Sequence, residues 1–146
     1  PPVLKETLMS TELDTPQIPK QKTGLDRALA QRLVDDYLRL LVLDDAEGIG
    51  ALYHPEARLE DPVGSTPLIG RKAIVGFYSN GLSGIDAAEL SGPIRVAGNE
   101  VAFAFNLHMK IKGQSFAMDI IDVFVIEAEK VVSMRAFWSR ENMRPV

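Results

Sequence analysis

The spacing of apolar residues changes near Gly84, from a helical period of about 3.6 residues to an alternating period of about two. Before Gly84, a long amphipathic helix is predicted to begin at Leu25, because apolar side chains recur at every fourth position. These are Leu29, Leu33, Tyr37 and Leu41. Helices followed by strands favour an α+β fold over an all-helical fold or one that alternates strand and helix.

Two more helices and a short strand are predicted in the first half. The second helix covers about Ala46–Tyr53, with Asp45 as its N-cap, and Pro55 follows it. The third covers about Arg71–Leu82, and Gly81 lies near its end. A short strand is expected at Arg58–Asp61.

The second half is predicted to form an antiparallel sheet. Val101–Ile111 and Ser115–Ile126 alternate and are separated by a turn at Gly113, which is typical of a hairpin. A further strand is predicted at Val131–Trp138. We therefore expect three helices packed on one face of a curved, mostly antiparallel sheet.

The domain is predicted to cover residues 25–146, preceded by an arm at residues 1–24. The arm has mixed charges and no clear hydrophobic period. Four of the nine prolines lie there, at Pro1, Pro2, Pro16 and Pro19. Two alternatives are open for the arm: it is flexible, or it docks in a groove through Leu8, Leu13 and Ile18.

Composition excludes several classes of function. The chain has no cysteine, so disulfides, thiol nucleophiles and cysteine-bound metals are excluded, which suits the cytoplasm. A net charge of −4 without a basic stripe argues against nucleic acid as a partner. No apolar run is long enough for a membrane span, so no membrane partner is expected.

Asp122 is the least expected residue in the strand pattern. It falls in a row of apolar residues at even positions, from Phe116 to Ile126, so it is predicted to be buried with them. Burial disfavours the charged carboxylate and raises its pKa. An arginine partner or a subunit interface is the structural alternative to a chemical role.

The sequence pattern gives the other candidate residues ordinary structural roles. Asp119 has the opposite parity and is expected to face outward, and Asp61, before Pro62, can cap a loop. Tyr37, Tyr53 and Tyr78 fit core positions. Neither His54 nor His108 has zinc-type spacing, and the glycines are not spaced as in a nucleotide-binding loop.

Taken together, several segments resemble the Δ5-3-ketosteroid isomerases over residues 25–144. Tyr37 lies 24 residues before Asp61 in the Glu60-Asp61-Pro62-Val63-Gly64 turn, and Asp122 lies 61 residues after Asp61. The other matching segments are Gly70–Ile74, Phe77-Tyr78, Gly92–Arg95, Gly98–Glu100, Ala117–Asp122 and Val132–Trp138.

The resemblance implies the nuclear-transport-factor-2-like cone, a deep apolar pocket and a homodimer. It also implies Asp61 as the general base, Tyr37 as one oxyanion donor and Asp122 as a protonated second donor, a pairing known from this family. Tyr53 and Tyr78 match positions that support the catalytic tyrosine. The implied lining of the pocket consists of Trp138, Phe77, Met118, Phe105, Met134 and Ala136.

The resemblance further implies isomerisation of a hydrophobic Δ5-3-ketosteroid to its Δ4 isomer, with no metal or cofactor. Two rival functions remain open, because many activities share this cone. One is proton transfer or cyclisation on a non-steroid enone. The other is a catalytically silent domain that binds lipophiles or docks another protein.

Overall fold

A computed structural model of the chain describes residues 17–19, 24–81 and 84–146. The helices in these ranges are α1 (Arg27–Val42), α2 (Ala46–Ala51) and α3 (Arg71–Gly81). The strands are β1 (Tyr53–Glu60), β2 (Leu68–Ile69), β3 (Ile85–Leu90), β4 (Arg95–Ala97), β5 (Glu100–Ile111), β6 (Gln114–Glu127), β7 (Lys130–Phe137) and β8 (Met143–Pro145). A 3₁₀ turn, Arg140–Asn142, joins β7 to β8.

All eight strands belong to one sheet, in the order β2-β1-β7-β6-β5-β3, with β4 paired to β5 and β8 paired to β6. The β5–β6 hairpin is in register from Glu100–Val125 to Ile111–Gln114. Strands β1 and β7 run parallel, whereas the other pairs are antiparallel. The expected α+β architecture with a mostly antiparallel sheet is confirmed.

The core lies between the helices and one face of the sheet. In α1 the buried residues repeat at helical spacing, as the apolar period predicts. They pack with the buried rows of β5, β6 and β7. Ring contacts of Tyr37 with Phe103 and Phe124, at centroid distances of 6.2 and 5.3 Å, join α1 to the sheet. Burying these rows provides most of the stabilisation expected for the domain.

The start of the first helix differs slightly from the prediction. Helix α1 begins at Arg27, not Leu25, since the Leu25 N–H donates to the Gly98 carbonyl at 2.9 Å. Helix α3 ends at Gly81, and Leu82 lies outside the described residues. The predicted cap of α2 is present, because the Asp45 carboxylate accepts from the Gly48 N–H at 2.9 Å.

The prediction that α2 continues to Tyr53 is wrong. Helix α2 ends at Ala51, and Tyr53 is the first residue of β1, which is longer than the predicted Arg58–Asp61. Pro55 lies inside this strand, where the pairing with β7 shifts register. The shift explains how a strand can include a proline that was expected only to follow a helix.

Most of the predicted arm lies outside the described residues. Among the helices that are described, none has the length and apolarity that a membrane crossing requires.

Candidate active site

Asp61 and Trp138 lie at the ends of two neighbouring strands. Asp61 follows β1 and Trp138 follows β7, and the parallel pairing of Glu60 with Arg135 brings the two strand ends together. The indole Nε1–H of Trp138 donates to Asp61 Oδ1 at 2.7 Å. The Val63 N–H donates to the Ala136 carbonyl at 2.8 Å and ties the following loop to β7. Asp61 is therefore held by both strands.

Asp61 is a more basic carboxylate than a free aspartate. Burial raises the pKa of Asp61, and the hydrogen bond from Trp138 opposes part of that rise. The hydrogen bond favours the ionised form, so the site combines raised basicity with a group that keeps the carboxylate charged. A proton acceptor needs this combination.

Three tyrosine hydroxyls form a buried chain. Tyr78, on α3, donates to the Tyr37 hydroxyl at 3.2 Å, and the hydroxyls of Tyr53 and Tyr78 lie 2.9 Å apart. A tyrosine has one O–H to donate, so Tyr53 donates to Tyr78 and Tyr78 to Tyr37. The Tyr37 hydrogen then remains available to another acceptor. The chain joins β1, α3 and α1.

Tyr37 is neutral in the folded protein. Its ring is 2% exposed. Burial raises the pKa of Tyr37 well above its usual value, the nearby Asp122 carboxyl adds to the rise, and the donation from Tyr78 opposes it. The phenol therefore keeps its hydrogen and can act as a donor.

Asp122 is buried in the core, as its parity predicts. It is 1% exposed and is the only charged residue among the buried positions of the described chain. On β6 it lies between Phe103 of β5 and Ala136 of β7. Neither carboxyl oxygen has a hydrogen-bond partner among the described residues. The arginine partner considered as an alternative is therefore not found in this part of the chain.

Asp122 favours the protonated form. Burial raises the pKa of Asp122 well above its usual value, and the negative charge of Asp61 raises it further. The Tyr37 hydroxyl opposes the rise; it lies near the carboxyl but lacks the geometry of a hydrogen bond. The two aspartates thus have unequal surroundings, since Asp61 has a hydrogen-bond donor and Asp122 has none among the described residues.

The remaining polar candidates lie elsewhere. Asp119 faces outward, where Arg144 Nη1 contacts its Oδ2 at 2.7 Å and Asn106 donates to its other oxygen. His54 Nδ1 accepts from the Glu56 N–H, and His108 is exposed. Within residues 24–81 and 84–146, no three His, Asp or Glu side chains converge as a metal site would require.

An apolar cavity of about 330 Å³ opens beside Asp61. Its lining consists of Asp61, Pro62, Phe77, Gly81, Met109, Ile111, Met118, Trp138 and Met143. Three of the predicted lining residues are therefore present, namely Phe77, Met118 and Trp138. The other three, Phe105, Met134 and Ala136, are buried in the core and do not line this cavity.

Tyr37 and Asp122 do not line the cavity either. The charge of Asp61 affects the pKa values of both groups, which indicates that they lie near its carboxylate. A larger groove of about 550 Å³, between α1 and β3, contains none of the predicted site residues.

Comparison with known proteins identifies the family of the chain. The SnoaL-like domain family matches residues 34–134. The chain belongs to this family. This chain is also 35% identical over 108 residues to a Steroid Delta-isomerase of Nocardioides simplex. The match covers 73% of this chain and 87% of that protein. The predicted resemblance is therefore confirmed.

A solved structure shares the SnoaL-like fold. An epoxide hydrolase/cyclase-like enzyme with a role in pyran ring formation in the polyether salinomycin superposes with a TM-score of 0.75 at 25% identity. The superposition covers 83% of this chain and 98% of that one. The nuclear-transport-factor-2-like cone is thus confirmed, and membership of the family, together with the isomerase relative, supports an enzyme.

The sequence did not predict five of the nine residues that line the cavity, namely Pro62, Gly81, Met109, Ile111 and Met143. Met109 and Ile111 share the alternating row of β5, but parity alone does not show where along the strand the cavity lies. Met143 belongs to β8, whose three residues are too few for a periodic signal.

Proposed function

We propose that this protein is a steroid Δ-isomerase, which moves the Δ5 double bond of a 3-ketosteroid into conjugation with its ketone. The observation that carries the proposal is the buried carboxyl of Asp122, which is unpartnered among the described residues. The Tyr37 hydroxyl, which affects the pKa of this carboxyl, keeps its own hydrogen available. A buried polar group without a partner is costly. A substrate oxygen would supply the missing partner.

Asp61 is the general base in this proposal. Its carboxylate takes the proton from C4, next to the ketone, so the C4–H electrons form the dienolate. The same carboxyl then delivers that proton to C6, and the double bond moves to C4–C5. Asp61 ends as it began, ionised and bonded to Trp138.

Tyr37 and Asp122 stabilise the negative charge that develops on the ketone oxygen. Both must hold a hydrogen to donate, and burial favours the protonated form of both. An ionised Asp122 would repel the dienolate. Donors of this kind contribute about 3–4 kcal/mol each when they are oriented before the reaction.

The cavity supports a hydrophobic substrate. Apart from Asp61 and Trp138, which bond to each other, its lining side chains are apolar. Its volume lies at the lower end of the range of roughly 300–1,000 Å³ that is usual for ligand pockets. Burial of flat apolar rings would provide most of the binding free energy.

A second candidate is proton transfer or cyclisation on a non-steroid enone or epoxide. The similarity to the epoxide hydrolase/cyclase-like structure favours it, since a carboxylate beside a neutral acid also suits that chemistry. Turnover of a panel of unsaturated ketones and epoxides would distinguish the two. The steroid isomerase proposal predicts that the Δ5-3-ketosteroid is turned over in clear preference to the other compounds.

The direct test is an ultraviolet assay for the conjugated enone, with the wild type and Asp61→Asn. The variant keeps the shape of the side chain but loses the proton acceptor, so kcat should fall by several orders of magnitude. Asp119→Asn is the matched control, because that carboxyl lies on the outer face and should not affect turnover. Full turnover by Asp61→Asn would refute Asp61 as the base, whereas a wild type without turnover would favour a silent lipophile-binding domain instead.

A further inference from the structure

The turn that carries Asp61 lies beyond the regular ladder of the sheet. Strand β1 ends at Glu60, which is also the last residue of its pairing with β7. Pro62 has no N–H to donate. The Val63 N–H donates to the Ala136 carbonyl at 2.8 Å, which attaches the turn to β7 two residues after Asp61. The position of Asp61 therefore also depends on what holds the chain just before it.

Glu60, the residue before Asp61, bonds both to the turn and to β7. Its Oε1 accepts from Arg135 Nε at 3.1 Å, and its Oε2 accepts from the Gly64 N–H at 3.4 Å. Each carboxylate oxygen thus has a different donor, one on the sheet and one in the turn. The Glu60 side chain is 14% exposed, whereas that of Arg135 is 47% exposed. The glutamate is therefore the more enclosed partner of this ion pair.

Arg135 is itself fixed on β7. It pairs with Glu60 in the parallel register of β1 and β7, and its guanidinium carbon lies 5.2 Å from the ring centroid of Phe137. An aromatic face attracts a cation at this distance. The hydrogen bond from Arg135 lowers the pKa of Glu60, so the glutamate is charged at neutral pH and both of its oxygens accept. Glu60 joins a fixed donor on the sheet to the backbone of the turn.

Two consecutive carboxylates are therefore bonded to side chains from one strand. Trp138 donates to Asp61 Oδ1 at 2.7 Å, and Arg135 donates to Glu60. The bond from Trp138 holds the Asp61 side chain but leaves its backbone free to tilt, whereas an attachment at the preceding residue restricts the tilt. Such restriction matters for a general base, because a misplacement of about 1 Å can cost roughly 10²-fold in rate.

We infer, on the basis of the proposed function, that Glu60 is a positioning residue for the general base: it holds the Glu60–Gly64 turn against β7 and so places the Asp61 carboxylate. Glu60 does not line the cavity, so it acts through Asp61 without touching the substrate. Its loss should therefore change kcat much more than binding. An ion pair with an exposed partner adds little to the stability of a fold, so variants at this position should remain folded.

Glu60→Gln is the direct test. Glutamine has nearly the same shape but only one acceptor oxygen, so one of the two donors, Arg135 or Gly64, loses its partner. In the ultraviolet assay, kcat should fall about tenfold or more. The Kd of the Δ4-3-ketosteroid product should change by less than about twofold. Quenching of Trp138 measures this Kd, because it is the only tryptophan in the chain and lines the cavity.

Asp36→Asn is the matched control. Like Glu60, Asp36 directly precedes a proposed catalytic residue and pairs with an arginine, but that arginine, Arg39, lies on the same helix. Its kcat should therefore stay at the wild-type value. An unchanged kcat in folded Glu60→Gln, or a loss of binding without a loss of kcat, would overturn the inference and leave the isomerase proposal intact.

A double variant tests whether Glu60 and Arg135 act as one link. Arg135→Gln removes the donor on the sheet, so adding it to Glu60→Gln should lower kcat no further than Glu60→Gln alone. Losses that multiply would overturn the link between the turn and β7.

The fluorescence of Trp138 tests the inference without turnover. Its indole N–H bonds to Asp61, so a displaced turn should change the emission spectrum of the free protein. If the wild type does not isomerise the steroid, the proposed function fails, and this spectrum decides the positioning role alone. A change in Glu60→Gln that is absent from Asp36→Asn would support the role, and an unchanged spectrum would overturn it.

Discussion

Replacing Asp122 with asparagine should change how the stability of the fold depends on pH. In the wild type, burial raises the pKa of Asp122 in the folded state above its unfolded value. The folded protein therefore keeps a proton that the unfolded chain releases as the pH rises. Its contribution to stability is fully present below the unfolded pKa and is lost as the pH rises through the folded pKa. Asparagine does not titrate.

The magnitude follows from one proton. While the folded state holds one proton more than the unfolded state, the free energy of unfolding falls by about 1.4 kcal/mol per pH unit. A carboxyl that is still protonated at pH 7, as the proposed chemistry requires, loses about 4 kcal/mol between pH 4 and pH 7. This is a large part of the roughly 5–15 kcal/mol that stabilises a typical domain.

Urea denaturation at several pH values from 4.5 to 8 measures this effect. The wild-type free energy of unfolding, minus that of Asp122→Asn, should fall with the slope given above. Asp119→Asn is the control, because it removes a carboxyl from the outer face of the same strand and retains Asp122. Parallel curves for wild type and Asp122→Asn would refute the idea that Asp122 is held protonated.

Three further predictions concern catalysis. Tyr37→Phe should lower kcat by about 10²–10³-fold with little change in KM, since its donation strengthens in the transition state; a raised KM alone would contradict this. Asp122→Asn, which can still donate, should lose less turnover than Asp122→Leu, and equal losses would argue against a donor. Trp138→Phe removes the donor that lowers the pKa of Asp61, so the acidic limb of kcat/KM should move to higher pH. An acidic limb that stays in place would exclude that role.

Local patterns were enough to predict the elements that carry most of the site. The four-residue spacing in α1 predicts that Tyr37 faces the core, and the even parity of β6 predicts the same for Asp122. Both are buried in the structure. Such predictions succeed because a side chain's face depends only on its position within a regular helix or strand.

Long-range packing could not be predicted in this way. The parallel pairing of β1 with β7 joins Asp61 to Trp138, 77 residues apart, and no local period encodes it. Nor does parity show which part of the buried face the helices cover. Phe105 and Met109 share one row of β5, yet only Met109 lines the cavity.

The parallel strands β1 and β7 also bear on how this enzyme could change over evolution. Each strand end presents one polar side chain to the cavity, Asp61 after β1 and Trp138 after β7, and the loops that follow are separate stretches of chain. A single substitution at either end could exchange the reacting group while the sheet that supports it stays the same. This modularity offers a physical reason why one cone serves relatives with such different chemistry.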